Sequence, residues 1–198
     1  MPNIKVGKFI TQVILQNIEV EDIDLSNATD LRSAWVQNNP ALQKLDLSYS
    51  TIWGQGDKET EGNGTYGSSL MVLGCPILKE IKLPEKNELK AYRIEIECLD
   101  ALETFDMSNV KMVAELSIGD LNKDFNLVYP ELTIFYSEDG YAGTYFACSE
   151  NTFYRESTQA FLKANYTDID PDDTVRRLGY TSSLSYDKNK GCRWRTLL

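Results

Sequence analysis

The chain contains no histidine in its 198 residues. This absence removes the commonest general base, the Ser-His and Cys-His arrangements of nucleophilic catalysis, and every histidine-based metal site. A hydrolase that uses paired carboxylates, as glycosidases do, stays open as an alternative, but no pair of acids stands out in the sequence. We therefore expect a protein that is not an enzyme and that has no catalytic residue, metal or cofactor.

Cysteine is scarce, with Cys75, Cys98, Cys148 and Cys192, and no two of them form a C-x-x-C pair. A zinc ribbon or a redox motif is therefore unsupported. We expect Cys75 and Cys98 to be small, reduced, buried side chains at corners of the fold. A disulfide is the alternative.

Long hydrophobic runs are also missing, so the sequence predicts no membrane span. The most apolar early stretch, residues 9–18, is interrupted by four polar residues and has no small-residue cleavage site, so no signal peptide is predicted. With 42% hydrophobic and 25% charged residues, the composition is typical of a folded protein. The location of the protein is left open.

Charge is distributed unevenly along the chain. The net charge is −10; from Arg176 onward six basic residues and one acid give +5, which leaves −15 for residues 1–175. An acidic body with a basic tail is poorly suited to a nucleic-acid backbone. We expect the tail to dock on an acidic surface of this chain or of a neighbouring subunit, which makes Arg193, Trp194 and Arg195 candidate binding residues.

A leucine-rich pattern, L-x-x-L-x-L, organises the first two thirds of the chain. Copies begin at residues 20, 42, 78 and 102, and a fifth, degenerate copy is predicted from Leu132. The spacings of 22, 36, 24 and 30 residues include two near the usual length of a leucine-rich repeat. Three copies share an aspartate and a serine: Asp24 and Ser26, Asp46 and Ser48, Asp106 and Ser108.

This pattern predicts an α+β, strand-dominated solenoid of about four to five irregular leucine-rich-repeat coils with caps at both ends. Residues 1–19 would form an N-terminal cap and residues 20–136 the solenoid. Residues 137–198 would form a C-terminal cap of a hairpin, a helix and the basic tail. Strands of an ordinary β-sandwich are the alternative.

One copy also resembles a known family. The sequence CPILKEIKLPE, residues 75–85, resembles the Cys-x-x-Leu-x-x-Ile-x-Leu-Pro signature of the BspA-like leucine-rich repeats of bacterial surface proteins, and residues 98–108 are a looser copy. Downstream of Pro84 the usual Gly-x-x-Ala-Phe segment is missing. The resemblance covers roughly residues 18–136, and it implies adhesion or protein binding without catalysis.

Between the copies, local spacing predicts the connecting elements. Residues 30–39 are predicted to contain a short helix, whereas the alternation at 92–98 and 114–118 predicts strands. Residues 54–69, with five glycines and three acids, predict a projecting loop. Asp139 and Gly140 predict a hairpin or a long bulged turn, and residues 152–165 predict a helix with Phe153, Ala160, Phe161 and Ala164 on one face.

The acidic run from Asp168 to Asp173 is compatible with calcium ligands. Counted from Asp168, however, the sixth and twelfth positions of an EF-type loop hold Asp173 and Gly179, where glycine and glutamate are required. We expect an acidic turn that caps a helix beginning near Pro171.

The candidate binding residues form two further groups. Asp24, Asp46, Lys82 and Asp106 fall on the outward side of the predicted short strands, and Tyr49, Trp53 and Tyr66 lie beside or within the predicted loop. Trp53 has two alternatives, packing in the core or a place in a binding surface. We expect a non-catalytic interaction or structural module, a subunit or attachment component of a larger assembly such as a phage virion. The alternative is a bacterial surface adhesin that binds host protein or glycan.

Overall fold

The computed structural model describes residues 3–55, 68–119, 121–122, 124–132, 137–138, 141–142, 145–165, 185–187 and 191–193. Strands dominate this part of the chain, and most of them pair in parallel. The strands are β1 Asn3–Lys5, β2 Gln12–Gln16, β3 Asp22–Asp24, β4 Ser33–Gln37, β5 Lys44–Asp46, β6 Ser69–Leu73, β7 Glu80–Lys82, β8 Leu89–Glu97, β9 Thr104–Asp106, β10 Val110–Gly119, β11 Asn126–Val128, β12 Ser137–Glu138, β13 Tyr141–Ala142, β14 Tyr145–Cys148, β15 Ser185–Asp187 and β16 Gly191–Arg193. The helices are α1 Glu150–Phe153 and α2 Glu156–Asn165.

A six-stranded parallel sheet is the largest element, in the order β14-β10-β8-β6-β4-β2. Its inward side chains alternate with outward ones, as in the fully buried Val36 of β4 and Ile94 of β8. The strands predicted at 92–98 and 114–118 are thereby confirmed in β8 and β10, except that β8 ends at Glu97 and Cys98 lies beyond it.

The helix predicted within residues 30–39 is wrong, because Ser33–Gln37 is the strand β4. Ala34 and Val36 face the core, and β4 pairs in register with β2 on one side and β6 on the other. Backbone hydrogen bonds from two neighbouring strands outweigh a helical spacing of a few apolar residues.

The short strands carry the repeated leucine-rich motif. They pair in parallel as β1 with β3, β5 with β7, and β9 with β11, and β3 lies beside β5 as β7 lies beside β9. The central residue of each strand from β3 onward is buried: Ile23, Leu45, Ile81, Phe105 and Leu127. The strand that pairs with β9 is Asn126–Val128. The fifth copy predicted from Leu132 lies mostly outside the described part of the chain, because residues 133–136 are not described.

One hydrophobic cluster joins the short strands to the large sheet. It includes the motif leucines Leu42, Leu45 and Leu47 together with inward residues of the long strands such as Val72 and Ile96. This shared core explains why the motif positions are apolar, since the short strands bury their side chains in the same cluster as the sheet.

A left-handed corner follows four successive strands of the large sheet. Asn17, Asn38, Gly74 and Cys98 stand directly after β2, β4, β6 and β8, with φ of 55°, 52°, 64° and 53°. The N–H of each donates to the carbonyl of the last residue of the next strand, at 2.9, 2.9, 3.0 and 3.2 Å. Asparagine and glycine are the residues that tolerate this backbone best.

The corner cysteines differ in their chemistry. Cys75 is a buried free thiol, and burial raises its pKa to about 11. Cys98 is disulfide-bonded, so the expectation of a reduced Cys98 is wrong. A disulfide partner must be near in space, which spacing along the sequence does not reveal.

Two helices follow the last strand of the sheet, where one was predicted over residues 152–165. The break falls at Tyr154 and Arg155, where the Arg155 guanidinium donates to the carbonyls of Phe125 and Asn122 at 2.9 and 2.5 Å. Phe161 is buried and stacks on Tyr129 with ring centroids 4.5 Å apart.

Phe153 is also buried, as predicted, whereas Ala160 and Ala164 are exposed, which corrects the predicted buried face. The predicted hairpin is confirmed by the antiparallel pair of β12 and β13. Neither described helix has the length and apolar character that a membrane span requires.

Candidate functional site

The outward side of the short strands carries a row of ion pairs. Lys44 lies 3.2 Å from Asp46 and 3.1 Å from Glu80, and Lys82 lies 3.2 Å from Glu80. The hydrogen bonds to Glu80 and Asp46 raise the pKa of Lys44, and the bond from Lys44 lowers the pKa of Glu80. Such exposed pairs contribute about 0–1 kcal/mol each. In this row the two lysines therefore neutralise the charges of Asp46 and Glu80.

The shared aspartates have a local structural role. The carboxylates of Asp24, Asp46 and Asp106 accept a hydrogen bond from the backbone N–H two residues ahead, at 2.9, 3.0 and 2.8 Å. These donors are the shared serines, so each Asp-x-Ser forms an Asx turn that ends a short strand. The recurrence of the two polar positions follows from this turn without any ligand.

Asp46 makes the strongest of these contacts. The Ser48 hydroxyl also donates to its carboxylate, at 2.6 Å. Although partial burial opposes ionisation, the hydrogen bonds from Ser48 and Lys44 leave the pKa of Asp46 lowered. Hydrogen bonds from Ser26 likewise lower the pKa of Asp24, which pairs with Lys5 at 3.4 Å.

The aromatic candidates differ in exposure to solvent. Tyr49 is 48% exposed, so its ring is accessible. Trp53 is fully buried; its backbone N–H donates to the Ser50 hydroxyl at 2.9 Å, and its indole N–H donates to the Ser69 carbonyl at 3.5 Å. Of the two alternatives for Trp53, the structure therefore shows packing in the core.

Several predicted residues lie outside the described part of the chain. These are Tyr66, Trp194, Arg195, the run from Asp168 to Asp173, and residues 56–67 of the predicted loop. Arg193 is the last residue of β16, and its side chain is not described.

Two buried carboxylates that the sequence does not reveal lie on the outer face of the large sheet. Glu95 and Glu97 alternate with the inward Ile94 and Ile96, yet they are only 3% and 1% exposed. The Ser117 hydroxyl donates to Glu97 at 3.0 Å. Within the described part of the chain, Glu95 Oε1 has no hydrogen-bond partner. Alternation at 92–98 could have placed both acids on the outer face, but nothing in the local sequence indicates that this face is buried.

An ion pair lies next to Glu95 on the same face. Arg93 pairs with Glu115, and its Nε donates to a Glu115 oxygen at 2.5 Å. The Tyr92 hydroxyl donates to the other Glu115 oxygen at 3.1 Å. Burial raises the pKa of Glu95 to about 7, with Arg93 opposing the rise and Glu115 adding to it.

A carboxyl group with a pKa near neutrality can hold and release a proton at neutral pH, which is a property of catalytic acids. Glu95 is nevertheless 3% exposed, so a substrate cannot reach it without rearrangement of its surroundings. Buried ion-pair networks shift pKa values in the same way. We therefore infer that Glu95 affects the stability of the sheet.

A groove of about 580 Å³ lies between residues 127–132 and α2. Leu127, Tyr129 and Pro130 line one side, and Ala160 and Phe161 line the other. In the described ranges, no three His, Cys, Asp or Glu side chains are arranged to hold a metal ion.

Comparisons with protein-family models, with characterised proteins and with solved structures found no match to this chain.

Proposed function

We propose that the chain is a non-catalytic protein-interaction or structural module built on irregular leucine-rich repeats. In this proposal one short strand, a turn, one long strand and a left-handed corner form a coil, and successive coils stack as a solenoid. The module serves as a subunit or attachment component of a larger assembly, of which a phage virion is one example.

The observation that carries this proposal is the repeated corner. Asn17, Asn38, Gly74 and Cys98 occupy equivalent places after successive strands, and each donates its N–H to the following strand. A left-handed corner that recurs after each strand of the sheet is expected of a repeat array and is not required of a sandwich. The registered pairing of β1 with β3 and of β2 with β4 extends the same unit to the N-terminal residues.

The polar groups of the motif support a role without catalysis. Asp24, Asp46 and Asp106 accept hydrogen bonds from their own turns, and Asp46 and Lys44 are also joined as an ion pair. Side chains that hold the fold in this way are not free to act on a substrate. What a repeat array offers instead is extended surface and two ends.

The test is fractionation of the native source, with this chain followed by mass spectrometry through soluble, membrane and large-particle pools. Sedimentation with a particle, at a fixed ratio to other proteins of that particle, is the expected result. Recovery as a free species would contradict the assembly role. Recovery with the membrane pool would favour the adhesin, and a screen against host proteins and glycans would then follow.

A further inference from the structure

The strand β2 ends the six-stranded sheet and has one free edge in the described structure. Among the described strands, it pairs with β4 alone. The Thr11 carbonyl accepts the N–H of Ser33 at 3.1 Å, and the Asn17 N–H donates to the Gln37 carbonyl at 2.9 Å. Backbone groups of a strand alternate in direction, so those of Gln12, Ile14 and Gln16 point away from β4. An unprotected edge of this kind is a template for pairing with another strand.

Apolar side chains collect at the same end of the molecule. Phe9 is 82% exposed, Ile14 49% and Ile10 43%. Leu15 and Ile18 pack against the core but are only partly buried. In the described part of the chain, the hydrophobic core is therefore incompletely covered where β2 ends the sheet, which is a feature of interaction surfaces.

The sequence of β2 is self-complementary about Ile14. It reads Gln-Val-Ile-Leu-Gln, so residues at equal distances on either side of Ile14 match in type. Antiparallel pairing of two copies places Ile14 opposite Ile14 and Gln12 opposite Gln16. The edge-facing residues then all fall in hydrogen-bonded pairs, with two N–H···O bonds at each of three pairs. The inward residues Val13 and Leu15 meet on one face, which continues the core from one copy into the next.

Charge favours the same arrangement. The positive Lys8 precedes β2, and the negative Glu19 follows it. Antiparallel pairing brings the Lys8 end of one copy to the Glu19 end of the other, whereas parallel pairing would bring like charges together.

We propose that the free edge of β2 is a homodimer interface, formed by antiparallel pairing with β2 of a second copy of this chain. The inference rests on the proposed interaction function, which it deepens by naming one partner. A twelve-stranded sheet would then run through both copies, since each contributes six strands.

The experiment measures the mass of the purified full chain by sedimentation equilibrium over a range of concentrations. Ile14→Lys places two like charges opposite each other at the symmetry axis, and it should weaken the dimer by about tenfold or more. The matched control is Ile77→Lys, because Ile77 is 40% exposed at another place, and it should leave the dimer intact. Ile14→Pro removes an edge-facing N–H without touching the bonds to β4, and it should also give a monomer with an unchanged circular dichroism spectrum.

Geometry is tested by cross-linking. Ile14→Cys should form a disulfide dimer under mild oxidation, whereas Ile77→Cys should not. A wild-type chain that stays monomeric up to about 1 mM, or a dimer that Ile14→Lys and Ile77→Lys weaken equally, would overturn the inference. A free dimer found outside any particle would sustain this inference and contradict the assembly role. A monomer bound within a particle would do the reverse.

Discussion

Glu95 should make the stability of this protein fall as the pH rises toward neutrality. Its carboxyl is 3% exposed, and its pKa is raised from 4.5 to about 7 by burial. In the unfolded chain the same group ionises at its ordinary pKa, so the folded state holds this proton more tightly. The favourable contribution is complete below pH 4.5, and it is lost as the pH rises to about 7.

The size of the effect follows from the two pKa values. A rise from 4.5 to about 7 corresponds to about 3 kcal/mol in the free energy of unfolding. Glu95→Gln keeps the shape of the neutral side chain and cannot ionise. The variant should therefore be more stable than the wild type by up to about 3 kcal/mol near pH 8, and about equal to it near pH 4.

The assay is urea unfolding of both proteins at several pH values, with the midpoint and slope determined separately. Glu103→Gln is the matched control, since it removes one negative charge from an exposed side chain. If Glu95→Gln differs from the wild type by the same amount near pH 4 and near pH 8, the pKa of Glu95 is not raised in the folded state.

Two further predictions concern the turns. Gly74→Ala should lower the free energy of unfolding by about 1–3 kcal/mol, because Gly74 has φ of 64° and an added Cβ would lie 2.8 Å from Asn38 Oδ1. Gly7→Ala should change the free energy of unfolding little, since nothing lies within 4 Å of a Cβ added there. Equal effects of the two substitutions in urea unfolding would contradict the role of the left-handed corner. Asp46→Ala should lower the free energy of unfolding by about 1–2 kcal/mol, and Asp46→Asn should lower it less, since an amide oxygen still accepts the Ser48 N–H. Because the pKa of Asp46 is lowered in the folded state, the cost of Asp46→Ala should shrink as the pH falls below the ordinary pKa of 3.8. A cost of Asp46→Ala that stays constant down to about pH 2 would argue against an ionised carboxylate in this turn.

The short strands were predictable because their signals are local. Leu42, Leu45 and Leu47 lie within six residues, and period-two spacing suffices to place Leu45 inward. Asp46 and Ser48 are two residues apart, so the turn that ends the strand also depends on a local sequence signal. The missing histidine likewise needed no structure to exclude the chemistry that depends on it.

The rest depended on residues far apart in the sequence. Ser33–Gln37 is a strand because β2 and β6 offer it hydrogen bonds on both sides, although its own spacing fits a helix. Trp53 is buried beneath contacts with Ser50 and Ser69, of which the second is 16 residues away. The buried environment of Glu95 likewise has no signal in its immediate neighbours.

The sequence by itself determined the apolar spacing, the Asx turns and the self-complementary β2, because each depends on residues within one strand or turn. Only the tertiary structure decided that β2 lies at the end of the sheet, that Gly74 must take a left-handed corner beside Asn38, and that Glu95 is buried. These outcomes depend on pairing between strands about 20 or more residues apart. The burial and hydrogen bonds that stabilise such a pair come from both strands, and the sequence of one strand does not indicate its partner.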